Sequence, residues 1–183
     1  KKNSSVLNIG AGYFLGKDRY FSHKNVVNLD LLAYPTTDVV ADGAKLPFQD
    51  NSFDAVISLS VLNEVDNPWK HSQEIKRVLK NNGLLYIDTS YLNVSTSENH
   101  KYSISPVGVI KLFSPDIEII HQNIEKYNHP IFSLHSMLDL YKNSLDYESQ
   151  KIFLGKTIDE ILKNGVNFDL SYIKNYQESK KKY

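Results

Sequence analysis

The sequence predicts an α/β fold with a mostly parallel sheet and a helical C-terminal extension. Over the first 90 residues, short apolar runs typical of strands alternate with stretches typical of helices, which is the order found in parallel α/β domains. The chain has 183 residues, of which 41% are apolar and 23% charged, a composition typical of a globular domain. No repeat or low-complexity linker divides it, so we predict a single domain over residues 1–183.

Each of the first four predicted strands runs into a glycine, an acid or a serine, residue types that are common in turns. In chain order the strands are Val6–Ile9, followed by Gly10-Ala11-Gly12, then Val26–Leu29 followed by Asp30, Asp38–Ala41 followed by Asp42, and Phe53–Ser58. The first strand begins so close to Lys1 that we expect an N-terminal segment to be missing.

A helix is predicted after the fourth strand, because Asn67-Pro68 is a typical helix start. The side chains spaced to share one of its faces are Trp69, Ile75, Val78 and Leu79. Asn81-Asn82-Gly83 is expected to end this helix, and Leu84–Thr89 is the fifth predicted strand.

The second half of the chain is predicted to be mainly helical. Helices are expected over Pro106–Phe113, Phe132–Leu145 and Tyr147–Lys163, with a sixth strand at Ile117–His121. The many aromatic side chains of the last helical region are typical of packing against a sheet, and a lid or a dimer surface is the alternative.

Composition and charge exclude several classes of protein. Lysine and arginine number 21, as do aspartate and glutamate, and this zero net charge argues against a phosphate backbone as the main partner. The absence of cysteine excludes disulfides, thiolate metal sites and cysteine nucleophiles, and no cluster of His, Asp and Glu has metal-ligand spacing. No apolar run reaches the roughly 20 residues that span a bilayer and no signal peptide is visible, so we expect a cytoplasmic protein.

The carboxyl ends of the predicted strands outline a slot with the shape of a nucleoside. Ligands of open parallel sheets bind beyond these ends. Gly10 and Gly12 have no Cβ, so the backbone there can approach a ligand closely. Asp30 is positioned to accept hydrogen bonds from ribose hydroxyls, and Asp42 to accept one from the amine of an adenine. Each residue alone is also typical of an ordinary turn, but all four share one predicted edge.

Several motifs together resemble those of the class I S-adenosylmethionine-dependent methyltransferases. The matching segments are residues 6–12 (VLNIGAG, first motif), 28–30 (second motif), 40–48 with 51–58 (adenine-side motif and fourth strand), 61–65 and 77–83. The resemblance covers about residues 5–120 and is nearest to the small type-11 branch.

The resemblance implies a Rossmann-like three-layer sandwich with S-adenosyl-L-methionine as cofactor. The positions that match the family's cofactor contacts are Gly10, Ala11, Gly12, Asp30, Leu31, Asp42, Gly43, Ser58 and Leu59. The glycine turn would lie under the carboxypropyl end, Asp30 would bind the ribose, and Asp42 with the Gly43 backbone would bind the adenine. Ser58 and Leu59 would face the amino group and the methyl-transfer pocket. The cofactor-binding core is then about residues 5–122, and residues 123–183 form a helical acceptor, lid or dimer region.

The glycine turn departs from two reference patterns. A nicotinamide dinucleotide site requires a third glycine three residues after the second, whereas Gly12 is followed by Tyr13-Phe14-Leu15 and then Gly16. Within the methyltransferase pattern, the first motif usually has aspartate where this chain has Asn8, which keeps a hydrogen-bonding group and loses the charge.

The loop after the fifth predicted strand is the basis for our expectation about the methyl acceptor. His100-Lys101-Tyr102-Ser103 resembles a segment of type-11 proteins associated with sugar and polysaccharide pathways. His100 is the candidate catalytic base, because an unperturbed imidazole titrates near neutrality. A loop histidine that only packs or caps is the alternative. We expect a small-molecule or glycan-type acceptor, and Ser58-Leu59-Ser60-Val61 lacks the motif of enzymes that methylate exocyclic base amines.

Two other functions stay open at the level of sequence. A methyltransferase-like domain that is catalytically inactive and serves as an interaction module would fit Asn8, and it predicts no cofactor affinity. An RNA methyltransferase predicts strongly salt-dependent RNA binding, which the zero net charge disfavours. The oligomeric state also stays open, with a homodimer among the alternatives.

Overall fold

The computed structural model describes residues 4–13, 25–91, 99–123, 130–157 and 160. The chain divides into two compact units, residues 1–133 and residues 134–183. The sheet and all the predicted site residues belong to the first unit. None of the helices in the described ranges is long and apolar enough to cross a membrane. One domain over residues 1–183, with a cofactor-binding core at about 5–122, stays a prediction.

A five-stranded parallel sheet forms the centre of the first unit. Its strands are β1 (Val6–Ile9), β2 (Val26–Asp30), β3 (Val39–Val40), β4 (Phe53–Leu59) and β5 (Leu79–Asp88), in the spatial order β3-β2-β1-β4-β5. Every neighbouring pair is parallel, so the carboxyl ends of the strands lie along one edge. The predicted α/β class is confirmed.

Strand β1 lies in the middle of the sheet and is buried along its whole length. Val6 pairs with Val26 on one side and with Ala55 on the other. Because both faces of a central parallel strand are covered, an almost continuous apolar run is expected there. Leu7 and Ile9 are 0% and 1% exposed, and burying each stabilises the fold by roughly 1.5–3 kcal/mol.

The described residues contain four helices: α1 (Pro68–Val78), α2 (Pro106–Phe113), α3 (Pro130–Ser144) and α4 (Tyr147–Leu154). Helix α1 begins where the sequence predicts, because the Asn67 side chain accepts a hydrogen bond from the Lys70 N–H at 3.0 Å and Pro68 occupies the first turn. The core cluster includes Ile75 from α1 and Phe113 from α2, together with the inner side chains of the strands.

The predicted inner face of α1 is wrong at one position, and so is its predicted end. Trp69 is 63% exposed, whereas His71 is fully buried at the turn that faces the core. The helix ends at Val78, and residues 81–83 lie within β5 instead of stopping the helix. The pairing of β4 with β5 shifts register at this place and Asn82 has φ 61°, so the polar turn residues form an irregularity in the strand.

The predicted sixth strand at Ile117–His121 is also wrong. These residues pair with no strand in the part of the chain that the structure describes, and Ile120 is 79% exposed. The third strand is shorter than predicted, at Val39–Val40. The last predicted helix ends at Leu154, while residues 158, 159 and 161–163 of that prediction lie outside the described residues.

Candidate functional site

The predicted cofactor contacts gather at the carboxyl edge of the sheet. Across this edge the order is Asp42–Gly43 after β3, Asp30–Leu31 at the end of β2, Gly10-Ala11-Gly12 after β1, and Ser58–Leu59 at the end of β4. The fold therefore brings all nine residues to four neighbouring strand ends. Their role as cofactor contacts stays a prediction, and the local geometry says what each could do there.

Asp30 and the glycine turn hold each other through hydrogen bonds. The Gly12 N–H donates to Asp30 Oδ2 at 2.8 Å, and the Leu32 N–H donates to Asp30 Oδ1 at 3.0 Å. Thr36 Oγ1 donates to the carbonyl oxygen of Gly12 at 2.7 Å. Each carboxylate oxygen of Asp30 keeps a further lone pair, so this half-buried group can still accept hydrogen bonds from two hydroxyls.

The two glycines of the turn have different surroundings. Both have positive φ, 70° at Gly10 and 57° at Gly12, where glycine is favoured over other residues. A Cβ on Gly10 would lie 2.1 Å from Cγ2 of Val61, so the packing of the protein itself requires a glycine there. A Cβ on Gly12 would meet no atom of the described residues within 4 Å. Gly12 therefore borders open space beside Asp30, and exposed Leu31 adds apolar surface there.

Asn8, the departure from the usual first motif, has a partner that sequence reasoning missed. Its side-chain Nδ2 donates to Oδ1 of Asn28 at 3.0 Å, between register partners on β1 and β2. The Asn28 Nδ2 donates in turn to the carbonyl of Thr36 at 3.0 Å. Both asparagines are at most 2% exposed, so each amide needs its partner.

His71 is the second residue near the site that sequence reasoning missed. Its imidazole is 0% exposed, with Nδ1 2.9 Å from the carbonyl oxygen of Gly43 and Nε2 3.4 Å from Oγ of Ser58. Burial lowers the pKa of His71 below its usual range, although the Gly43 hydrogen bond and the charge of Asp42 oppose this. The ring is therefore neutral. The helical spacing of His71, Ile75 and Val78, in steps of four and then three residues, was the signal that could have identified it.

The loop that contains His100 is attached to the segment after β4. The N–H groups of Lys101 and Tyr102 both donate to the carbonyl oxygen of Asn63, at 2.7 and 3.1 Å. The Tyr102 hydroxyl donates to the carbonyl of Asp66 at 2.9 Å, and Lys101 forms an ion pair with the Asp66 carboxylate. These contacts fix the backbone that follows His100 against the segment after β4.

Asn63 also contacts the imidazole of His100 directly. Asn63 is 3% exposed, and its Nδ2 lies 3.2 Å from Nδ1 of His100. The Asn63 Oδ1 has no hydrogen-bond partner among the described residues. Asn63 therefore presents a buried, unsatisfied amide oxygen next to the imidazole of His100. Within the described ranges, no three His, Asp or Glu side chains come together in a way that could hold a metal ion.

Comparison with known proteins agrees with this geometry. Residues 9–87 match the family model described as a methyltransferase domain. The matched region, which is less than half of the chain, is similar to methyltransferase domains. The methyltransferase resemblance seen in the sequence is thus confirmed, whereas the branch associated with sugar pathways stays a prediction.

Relatives and solved structures extend the likeness beyond the matched region. The uncharacterized protein MJ0638 of Methanocaldococcus jannaschii is 28% identical over 172 residues, which are 85% of this chain and 76% of the relative. The YcgJ protein of Bacillus subtilis superposes with a TM-score of 0.56 at 17% identity, covering 83% of this chain and 82% of YcgJ. A SAM-dependent methyltransferase of Aquifex aeolicus superposes with a TM-score of 0.51 at 20% identity, over 68% of this chain and 77% of the other. At these identities the two structures show a shared fold.

The matching family implies S-adenosylmethionine as the cofactor, as the sequence predicts, and the site fits it. The open space beside Gly12 leaves room for a ligand against the glycine turn. Asp30 beside it has acceptor lone pairs for hydroxyl groups.

Proposed function

We propose that this methyltransferase domain transfers a methyl group from S-adenosylmethionine to a hydroxyl of a small-molecule or glycan-type acceptor, in the cytoplasm. His100 acts as the general base. The observation that supports this choice is the contact between His100 and buried Asn63, which holds an imidazole next to the carboxyl end of β4. That strand end is also where Ser58 and Leu59 are predicted to face the reacting methyl group.

The residues of the chain have two tasks in such a reaction, alignment and removal of a proton. When bound, S-adenosylmethionine supplies an electrophilic methyl group. Asp30 and the Gly12 backbone orient the ribose side, and the Asp42–Gly43 backbone orients the adenine side. His100 accepts the proton of the acceptor hydroxyl, which must lose it as the oxygen attacks.

The amide of Asn63 decides whether His100 can act as a base. With Nδ2 toward the ring, the amide donates to Nδ1, so the ring proton is on Nε2 and neither ring nitrogen has a lone pair available to accept a proton. Turned by 180°, Oδ1 accepts from Nδ1–H and Nε2 carries the lone pair, with the Ser103 hydroxyl 3.5 Å from it. Base catalysis requires the second orientation, which also gives the unpartnered Oδ1 a donor.

Charge at this place favours a neutral acceptor. The charged residues in the segments 60–66 and 99–103 are Glu64, Asp66 and Lys101. Lys101 is paired with Asp66, and Glu64 is exposed, so the surroundings of His100 are slightly acidic. A phosphate group would be repelled here, whereas a sugar hydroxyl carries no charge. The same argument disfavours RNA.

The first experiment measures binding of S-adenosylhomocysteine by calorimetry to the wild-type protein and to Asp30→Ala. We expect micromolar affinity that is lost in the variant, because the ribose loses its acceptor. Asp116→Ala is the matched control, since Asp116 is an exposed residue that follows α2 and pairs with Lys76 of α1. Neither heat nor a thermal shift with the wild-type protein would contradict the proposal and favour the inactive interaction domain.

The second experiment tests the acceptor and the base. Formation of S-adenosylhomocysteine is followed with a panel of sugars and polyols, for the wild type, His100→Gln and His135→Gln. His135 is an exposed histidine of α3 that pairs with Asp139, and it serves as the matched control. We expect a loss of roughly 10²–10⁴-fold in turnover for His100→Gln alone, the usual contribution of a general base. Equal turnover in all three proteins would show that His100 only packs or caps the loop.

A further inference from the structure

We propose that His71 is a positioning residue for the cofactor, which holds the loop after β3 and the end of β4 in a fixed arrangement. The inference rests on the proposed function, since it takes Gly43 as an adenine-side contact and the end of β4, at half-buried Leu59 beside Ser58, as the methyl-transfer side. His71 itself reaches neither side, because it is fully buried. It acts through the two residues to which it is hydrogen-bonded.

The imidazole joins two strand ends that the sheet leaves unconnected. In the order β3-β2-β1-β4-β5, strands β3 and β4 are separated by two others, so no ladder hydrogen bond relates Gly43 to Ser58. The side chain of His71 contacts both, at 2.9 Å to the Gly43 carbonyl oxygen and 3.4 Å to Ser58 Oγ. Its own backbone is fixed by α1, where the His71 N–H donates to the carbonyl of Asn67 at 3.0 Å.

The packing of the ring explains why position 43 is a glycine. A Cβ on Gly43 would lie 2.8 Å from Nδ1 and 2.9 Å from Cε1 of His71, and 3.3 Å from Cγ2 of Ile9. The loop therefore rests directly on the imidazole and on the end of β1. Any displacement of the ring would move the backbone that is predicted to meet the adenine.

The two hydrogen bonds also determine the tautomer of His71. A carbonyl oxygen only accepts, so Nδ1 must carry the proton that is donated to Gly43. The lone pair is then on Nε2, which accepts from the hydroxyl of Ser58. Ser58 is 0% exposed, so its hydroxyl has this buried nitrogen as its acceptor and is held in one orientation.

The test separates the two ends of the cofactor with two probes and two variants. S-Adenosylhomocysteine has both the nucleoside and the amino acid, whereas 5′-deoxy-5′-methylthioadenosine lacks the amino acid. His71→Asn keeps a donor where Nδ1 was and loses the group that contacts Ser58. His71→Gln reaches the position of Nε2 and loses the donor to Gly43. Dissociation constants and melting temperatures are measured for both probes and all proteins.

We expect His71→Asn to weaken binding of S-adenosylhomocysteine about tenfold, or about 1.4 kcal/mol, with methylthioadenosine almost unaffected. His71→Gln should weaken both probes by a similar factor, because the adenine side is released. Lower melting temperatures with unchanged dissociation constants would mean that His71 only fills the core, and would overturn the inference. If the wild type binds neither probe, the proposed function fails instead.

The Ser58→Ala variant covers the case in which the His71 variants do not fold, and a double-mutant cycle applies where they do. Ser58→Ala removes the hydroxyl and leaves the rest of the packing, and it should weaken S-adenosylhomocysteine but not methylthioadenosine. If His71 acts through Ser58, then His71→Asn in the Ser58→Ala background adds little further loss. If the Ser58→Ala protein binds both probes like the wild type, the hydrogen bond between His71 and Ser58 does not affect cofactor binding, and the inference is wrong.

Discussion

Gly10 lies so close to Val61 that a Cβ on the glycine would be 2.1 Å from Cγ2 of the valine. The contact joins the turn after β1 to the segment after β4, and both belong to the carboxyl edge of the sheet. The first glycine of the turn is thus required by packing within the protein. The second, Gly12, borders open space.

This difference predicts different outcomes for alanine at the two positions. Gly10→Ala should cost about 1–2 kcal/mol for the left-handed backbone and about 1–3 kcal/mol for overpacking against Val61. Gly12→Ala carries only the first cost, but its methyl group enters the space predicted for the cofactor. We expect urea unfolding to show the larger loss for Gly10→Ala, and calorimetry to show the larger fractional loss of S-adenosylhomocysteine affinity for Gly12→Ala among folded proteins. Equal stability of the two variants would contradict the packing argument.

Strands and helix starts could be predicted from the sequence because local chemistry determines them. The apolar run of β1 is buried from Val6 to Ile9, and Asn67 with Pro68 forms the cap of α1 as expected. The order of acids and glycines at strand ends follows from parallel pairing, which needs no knowledge of side-chain contacts. The carboxyl edge of the candidate site was therefore predictable.

What could not be predicted depends on contacts between distant segments. Trp69 is a residue type typical of a protein core, yet its side chain is exposed. His71 takes the buried position instead, because Gly43 and Ser58 supply hydrogen-bond partners for its imidazole. Ile117–His121 has the composition of a strand, but no described strand pairs with it. The role of Asn63 depends on the fold, because the loop after β5 binds its carbonyl oxygen.

Restoring the usual acid at position 8 should destabilise this protein. In Asn8→Asp, a carboxylate would face Oδ1 of Asn28, whose Nδ2 already donates to Thr36, so neither oxygen would have a donor. A buried acceptor left unsatisfied costs about 1–3 kcal/mol, and a charge costs more. Urea unfolding of Asn8→Asp and Asn8→Ala should therefore rank the acid as the less stable variant. The reverse ranking would show that Asn28 can reorient to donate.

The Asn8→Asp variant also tests whether Asn8 limits the affinity for the cofactor. If Asn8 were the reason for lost binding, as in an inactive interaction domain, Asn8→Asp would acquire affinity for S-adenosylhomocysteine that the wild type lacks. We expect no gain, because Asn8 is only 2% exposed and its amide is used by Asn28. Calorimetry with S-adenosylhomocysteine on the wild type and on Asn8→Asp distinguishes these outcomes.

The stability of the protein should rise with pH on the acid side of neutrality because of His71. Burial lowers the pKa of this imidazole in the folded state from its ordinary value of 6.5, while the charge of Asp42 partly opposes the change. Between the folded pKa and 6.5 the unfolded chain binds more protons, so the free energy of unfolding increases with pH there. The stability is fully present above pH 6.5 and is lost as the pH falls through this window.

Urea unfolding of the wild type and His71→Asn between pH 5 and pH 8 measures this effect. Asparagine does not titrate, so the difference in stability between the two proteins should shrink as the pH falls. A constant difference over the whole range would mean that His71 has an ordinary pKa in the folded protein, and that its ring is open to protonation.

Asp54 should control acid stability without affecting the cofactor site. It lies at the amino end of β4, where its Oδ2 accepts from the N–H of Ser5 at 2.8 Å and from the Ser5 hydroxyl at 3.0 Å. These bonds, with the ion pair to Lys80, lower the pKa of Asp54 from 3.8 to about 2. Because the folded pKa is depressed, the stabilisation is present above pH 3.8 and is lost as the pH falls toward 2.

Asp54→Asn is the variant that tests this, with Asp116→Asn as its control. Asp116 forms an exposed ion pair with Lys76, which contributes little to stability. We expect Asp54→Asn to melt at a lower temperature at neutral pH and to lose less stability than the wild type between pH 4 and pH 2. The affinity for S-adenosylhomocysteine should stay unchanged, since Asp54 is at the edge of the sheet opposite to Asp30. If the melting temperatures of the wild type and Asp54→Asn change equally with pH over this range, the carboxylate is not held by Ser5.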